Sequence, residues 1–280
     1  MTNQKVILVT GGSSGIGYEV AQRLAHEGHK VYAAARRTEL MRPLEAVGVV
    51  PLSLDVSSEE SMRRCVAAVL QAEGRVDVLV NNAGYGYFGP VECVPMEDAR
   101  RQIEVNVFGL AEMCRLVIPH MREQGGGRIV NIASIAGRAV FPFGGWYNVS
   151  KYSVEAISDA MRMELKPFGI DVCIVEPGCI KTNWGIIAAD HLADCTAGSA
   201  YEASGRRWAS SMRWAYEGKY MSKPSVIAQY VVQAATVRHP RARYRRGRLA
   251  GTTVFLHSLL PARWWDALML RIMSVKVGMR

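Results

Sequence analysis

The chain has 280 residues, 49% hydrophobic and 21% charged, an ordinary globular usage that excludes intrinsic disorder. No apolar run approaches the length of a membrane span. The six cysteines (Cys65, Cys93, Cys114, Cys173, Cys179, Cys195) form no CxxC pair and have no histidine at zinc-ligand spacing, which predicts free thiols and no metal. The formal charge of +9 is uneven: residues 238–280 carry nine Arg, one Lys and one Asp, so the remainder of the chain is neutral. A polar start before a short strand, without a basic n-region or cleavage site, predicts a cytoplasmic protein.

Strand-like and helical segments alternate along the chain. Residues 5–10 are apolar and β-branched, and a glycine-rich turn leads into a helix over residues 16–27, with Val20 and Leu24 four apart. Residues 30–35 predict a second strand, 38–46 a helix, 47–54 a third strand and 58–73 another helix. A fourth strand over 76–81 precedes a long helix at about 99–122, which Gly125, Gly126 and Gly127 end. Residues 128–133 predict the fifth strand, 147–166 a helix and 170–176 the sixth strand. Strands apolar on both faces, separated by helices, predict an α/β fold. Right-handed crossovers make it a doubly wound, Rossmann-type, mostly parallel sheet with helices on both faces, in one domain.

The first strand opens onto Thr10-Gly11-Gly12-Ser13-Ser14-Gly15-Ile16-Gly17. Glycines allow a tight turn, close approach to a pyrophosphate and close helix–sheet packing, and the helix end beyond them offers unpaired N–H groups to an anion. The spacing is Gly-x3-Gly-x-Gly rather than GxGxxG, and a tight turn without a ligand is the structural alternative. After the second strand the run is Ala33-Ala34-Ala35-Arg36-Arg37, without the carboxylate that would accept from a ribose 2′-hydroxyl. A guanidinium pairs bidentately with a 2′-phosphate, so NADP(H) is the expected cofactor, with Arg36 the first contact and Arg37 and Ser14 as helpers. The alternative is a solvated arginine pair opening a helix.

Tyr147 and Lys151 stand one helical turn apart, Ser134 ends the fifth strand, and Asn106 lies in the long helix. Together with Thr10–Gly17, Asp55-Val56, Asn81-Asn82-Ala83-Gly84 and Pro177-Gly178-x3-Thr182, they make the chain resemble the short-chain dehydrogenase/reductase family over about residues 5–182. The resemblance implies a catalytic set of Asn106, Ser134, Tyr147 and Lys151. Tyr147 would be the proton donor in carbonyl reduction and the base in alcohol oxidation, with the Lys151 cation and the oxidised nicotinamide together favouring the phenolate, and Lys151 would also hold the nicotinamide ribose. Ser134 would donate to the substrate oxygen, and Asn106 would position a water. The resemblance also implies a cofactor shell of Gly11, Ser13, Ser14, Gly15, Ile16, Gly17, Arg36, Arg37, Asp55, Val56, Asn81, Ala83 and Gly84. Tyr147, Lys151, Pro177, Gly178, Ile180 and Thr182 complete that shell.

Between Thr182 and Lys223 the family keeps a substrate lid, and here the segment carries Trp184, Tyr201, Trp208, Trp214, Tyr216 and Tyr220. Tyr85–Pro90 and Phe141-Pro142-Phe143 add further aromatics, and the first of these resembles the hydroxysteroid- and retinol-dehydrogenase-like branch. The expected substrate is a lipophilic ketone, aldehyde or alcohol, steroid- or retinoid-like, although the aromatics could equally pack the lid or an oligomer contact. His191, within the lid, reads as a surface histidine. Residues 238–248 are basic and could continue the sheet as an edge strand. Beyond them Leu256, Leu260, Trp264 and Leu268 recur at i+4, broken at Pro261. This amphipathic extension can pack on the protein or on another subunit, the favoured reading, or lie on an anionic membrane surface. The leading function is an NADP(H)-dependent oxidoreductase on CH–OH groups, as a homodimer or homotetramer and without nucleic acid as a partner. A 3-oxoacyl-type ketoreductase and a non-catalytic NADP(H)-sensing protein are the alternatives.

Overall fold

The computed structural model describes residues 4–274. Its centre is a seven-stranded sheet in the order β3-β2-β1-β4-β5-β6-β7, every pairing parallel. The strands are β1 (Val6–Thr10), β2 (Lys30–Ala35), β3 (Val50–Ser53), β4 (Val78–Asn81), β5 (Gly127–Ile132), β6 (Ile170–Pro177) and β7 (Arg243–Arg246). Alternation along β1 divides the core. Val6 and Leu8 face a layer built from α2 (Glu59–Glu73), α4 (Gly109–Glu123) and α5 (Gly145–Glu164). Ile7 and Val9 face α1 (Gly15–His26) and α8 (Pro224–Thr236). The strand order reverses direction between β1 and β4, and ligands of open α/β sheets bind at the carboxyl edge beside such a switch point.

Three expectations shift. The helix expected over 38–46 is a run of 3-10 turns, Thr38–Val47, because Pro43 lacks the N–H that an α-helix would use. Gly48, at φ +84°, ends that run, so β3 begins three residues later than expected. The long helix at 99–122 is three pieces: α3 (Met96–Ile103), a π turn over Glu104–Phe108, and α4. The lid segment forms α6 (Asn183–Thr196) and α7 (Glu202–Glu217), and α8 then returns against α1.

The basic run does continue the sheet, as β7. Its arginines face buried carboxylates. Arg243 Nε lies 3.2 Å from Glu155 Oε2 and 3.3 Å from Glu176 Oε1, and its guanidinium also pairs with Asp159. Arg245 bonds the other oxygen of the fully buried Glu176. The last described elements are α9 (Ala250–Leu259) and α10 (Ala262–Ser274), separated at Pro261 as its missing N–H requires. All six cysteines are free thiols. Among the described residues no helix is long and apolar enough to cross a membrane.

Candidate active site

The carboxyl ends of β1, β2, β4, β5 and β6 gather the sequence motifs at one edge of the sheet. After β1 the backbone turns through Gly11 (φ +70°) and Gly15 (φ +59°), values that a side chain would strain. A Cβ on Gly17 would lie 2.4 Å from both Gly11 O and Asn82 Nδ2, so only glycine lets α1 start this close to the turn. Ser14 precedes α1 in an extended conformation without capping it by its side chain, and the first turn holds no acidic residue. The N–H groups of that turn are therefore offered to an anion. Thr182, at the start of α6, comes over the turn, its Cγ2 3.2 Å from where a Gly15 Cβ would sit. This cradle, positive at its helix end and free of side-chain bulk, fits the pyrophosphate of a dinucleotide. Ser13 is half-buried, and Ile16 packs on the core beneath the cradle.

A hydrogen-bond set that the sequence did not disclose braces this loop. Thr10 Oγ1 accepts from the backbone N–H of Asn82 and of Ala83, each at 3.0 Å. Asn82 Nδ2 donates to Thr10 O at 3.0 Å and to Gly11 O at 3.1 Å. Asn81 faces the other way. Its side chain turns into the core, where Nδ2 donates to Asn131 Oδ1 at 3.0 Å, and only its backbone stays at the edge. The physical reason is strand alternation: neighbouring residues face opposite sides of the sheet, so Asn82 takes the loop side.

Arg36 and Arg37 are exposed just past β2. Burial works against charge on Asp55, yet hydrogen bonds from Ser57 and the charges of Arg36 and Arg101 hold its carboxyl below the usual range. Val56 is buried and its carbonyl abuts Gly109, where a Cβ would lie 2.3 Å away. Pro177, Gly178 and Ile180 leave β6 pinned to the C-terminal part of the chain. Gly178 N donates to Arg246 O at 2.8 Å, and Ile180 is buried where it bridges to Ser222.

The catalytic candidates converge. Tyr147 is 8% exposed and Lys151 7% exposed, with Lys151 Nζ 5.9 Å from the Tyr147 ring centre and donating to Ile132 O at 2.9 Å. Ser134 leaves β5 in an extended conformation, and its hydroxyl shares a hydrogen bond with the Tyr147 phenol. Burial pushes that phenol up to about 12 against the opposing hydrogen bond from Ser134. Burial also brings Lys151 down to about 8, with the Glu155 carboxylate working the other way. Burial thus draws both groups toward their neutral forms, and for Tyr147 the neutral phenol is the form that donates a proton.

Asn106 sits in the π turn, its side-chain amide bonded on both sides. Oδ1 accepts from Tyr85 N at 3.0 Å, and Nδ2 donates to Tyr85 O at 2.8 Å and to Ser150 Oγ at 3.1 Å. Ser150 Oγ in turn donates to Tyr147 O at 2.8 Å. The Asn106 side chain links the Tyr85 loop to the backbone of Tyr147, with both amide N–H groups in use and one lone pair of Oδ1 left as an acceptor. Gly84 is beside it, since a Cβ there would lie 3.0 Å from Asn106 Oδ1 and 3.8 Å from Lys151 Nζ. Ala83 packs on the core.

The lid closes over the phenol. The Trp184 ring lies 5.0 Å from the Tyr147 ring, and Phe88 lies 5.7 Å from each of them. Gly86 makes room for this, because a Cβ would stand 2.4 Å from Trp184. Ala188 and Leu192 of α6 and Ala209 and Met212 of α7 complete the apolar cluster, with Trp208 against it. Tyr216 meets Trp184 at 6.4 Å. His191, read from sequence as a surface residue, instead stacks on Tyr87 at 4.5 Å and fastens α6 to the loop after β4. Trp214 and Tyr220 pair with each other away from the cluster, and Tyr201 meets Phe143 at its edge.

Comparisons with known proteins agree with this geometry. The sequence model of the short chain dehydrogenase family matches residues 5–190. Helicobacter pylori VdlC, named "Probable short-chain type dehydrogenase/reductase", is 36% identical over 263 residues, spanning 93% of this chain and 95% of its own length. The 3-ketodihydrosphingosine reductase of Bacteroides thetaiotaomicron is 41% identical over 181 residues, 64% of this chain and 65% of that protein. Retinol dehydrogenase 16 of Rattus norvegicus is 34% identical over 278 residues, 94% of this chain and 87% of that protein. Among solved structures, a short-chain dehydrogenase from Streptomyces avermitilis superposes with a TM-score of 0.79 at 32% identity, covering 96% of both chains. The closed form of serine dehydrogenase complexed with NADP+ gives 0.75 at 26% identity, covering 87% of this chain and 95% of that one. With a family match that runs from the first strand into the lid and relatives this similar over nearly the whole length, the chain belongs to the short-chain dehydrogenase/reductase family and is an oxidoreductase.

Proposed function

We propose that the protein is an NADP(H)-dependent oxidoreductase that interconverts a lipophilic ketone or aldehyde and its alcohol, of steroid or retinoid character. The observation that carries the substrate reading is the wall around Tyr147. The cluster that takes in the phenol ring, from Phe88 and Trp184 to Leu192 and Met212, is built of apolar side chains, with the Tyr216 phenol behind Trp184. A polar substrate would leave its own groups unpaired there, at a cost of about 1–3 kcal/mol each, whereas a hydrocarbon skeleton displaces only aromatic contacts. Relatives named for retinol and for a long-chain keto lipid support the same class. The exposed Arg36 after β2, with no acidic residue at the strand end, supports a 2′-phosphate. The solved neighbour with NADP+ bound is in keeping with it.

The bound cofactor supplies the hydride. The chain does the rest. The glycine cradle and the first turn of α1 hold the pyrophosphate, Arg36 takes the 2′-phosphate with Arg37 and Ser14 beside it, and Lys151 holds the ribose near the nicotinamide. Ser134 donates to the carbonyl oxygen where negative charge grows, and Tyr147 Oη delivers the proton. The α6–α7 lid excludes water from that transfer.

The test is NADPH and NADH oxidation on a panel of steroid, retinoid and small polar ketones, with Arg36→Ala alongside. The expected result is turnover of the apolar carbonyls with NADPH, and an Arg36→Ala loss that is far larger for NADPH than for NADH. Equal losses would remove the cofactor reading, preference for small polar ketones the substrate reading, and absence of any turnover the enzyme reading.

A further inference from the structure

The last two helices carry an apolar surface that the fold does not use. On α10, Trp265 is buried, its Nε1 donating to Val140 O at 2.9 Å and its ring meeting His257 edge-on at 4.9 Å and Phe141 at 6.3 Å. That contact satisfies the packing expected of the tail. It leaves the opposite side bare: Phe255 is 63% exposed, Leu259 65%, Trp264 69% and Leu270 61%. Leu259 and Trp264 flank the bend at Pro261, so the tip between α9 and α10 reads Leu-Leu-Pro-Ala-Arg-Trp and is itself open to solvent. Large exposed apolar groups gathered in one short stretch mark a surface for something else.

Charge identifies the occupant. The whole net charge of the protein, +9, falls within residues 238–280. Arg243 and Arg245 are committed to Glu155, Asp159 and Glu176. Arg263 stands exposed within the apolar tip, and Arg248 is exposed at the other end of α9, 5.4 Å over the Tyr220 ring. An anionic lipid surface offers opposite charge to the arginines, and its headgroup boundary takes up indole and leucine side chains beside them.

We propose that the α9–α10 arm docks the protein on the surface of an anionic phospholipid bilayer, with Leu259 and Trp264 inserted at the headgroup boundary and Arg248 and Arg263 against lipid phosphates. This rests on neither the substrate nor the cofactor reading, since binding is measured without turnover. The arm packs on the lid helix α7, so docking sets the lid beside the membrane.

The experiment is co-sedimentation of the full-length protein with phosphatidylcholine vesicles with and without phosphatidylserine, at low and high salt. The expected result is binding that requires phosphatidylserine, weakens with salt, and drops about tenfold or more in Leu259→Glu/Trp264→Glu. Arg263→Glu, which leaves the apolar tip intact, is the second variant and also weakens binding. Failure of the wild type to sediment with anionic vesicles would overturn the proposal. So would variants that bind like the wild type, or a wild-type dimer that Leu259→Glu/Trp264→Glu converts to monomer, since a second copy would then cover the patch.

Discussion

Glu155 lies one turn beyond Lys151 on α5, 4% exposed, with Arg243 as its hydrogen-bond partner and Oε1 without one among the described residues. Burial pushes its carboxyl up from 4.5 to about 7, the nearby Glu176 adding to the effect and Arg243 opposing it. A carboxyl that holds its proton more tightly in the folded chain contributes stability that is full below the unfolded value. That contribution drains away as pH rises through the folded one. At about 1.4 kcal/mol per pH unit, the loss between about pH 4 and pH 8 amounts to roughly 3 kcal/mol. Glu155→Gln keeps the shape and removes the titration. Urea unfolding of wild type and variant across that interval measures the difference. The wild type is expected to fall relative to the variant by roughly 3 kcal/mol as pH rises, most of it before pH 7. Parallel stability profiles, or a wild type that gains on the variant with rising pH, would refute the reasoning.

Tyr147→Phe removes the proton donor and is expected to lower turnover by about 100-fold or more while NADPH affinity, read by fluorescence titration, stays within about twofold. Substantial residual turnover would reassign the acid. Gly17→Ala places a methyl group 2.4 Å from Gly11 O, so the cradle must open. Cofactor Kd is expected to rise about tenfold or more with the circular dichroism spectrum retained, and an unchanged Kd would remove the cradle. Because burial brings Lys151 down to about 8, its ammonium is lost as pH climbs past that value. NADPH Kd measured in the same titration is therefore expected to be flat at neutral pH and to rise above about pH 8.

Six strands were readable because each is an apolar run between turn residues, and Gly11, Gly15 and Gly17 were readable because a cradle tolerates no Cβ. Tyr147, Lys151 and Ser134 came from spacing and family likeness together, and the structure puts them within one small volume. Other features lay below what a pattern can show. Asn81 and Asn82 differ only in which side of the sheet they face, and one residue of register decides it. Ser150 reads as helix filler until the π turn brings Asn106 to it. In β7 the sequence Arg-Tyr-Arg-Arg has a strand's length but a surface composition, and its burial depends on Glu155 and Glu176, which lie 67 or more positions upstream. The lid aromatics were counted correctly as a group, yet only distances separate Trp184, which covers the phenol, from Trp214, which does not.

The pairing of β7 with β6 bears on how the polypeptide is made. Residues 5–190 hold every group proposed for the chemistry, yet they end before α8, which covers the α1 face, and before the arginines that neutralise Glu176. A nascent chain halted there would present a bare strand edge and an uncovered helix, the kind of surface that invites aggregation. Folding is therefore sealed only once synthesis has passed β7 (Arg243–Arg246). A shortened gene that spares the entire catalytic apparatus should still yield insoluble product.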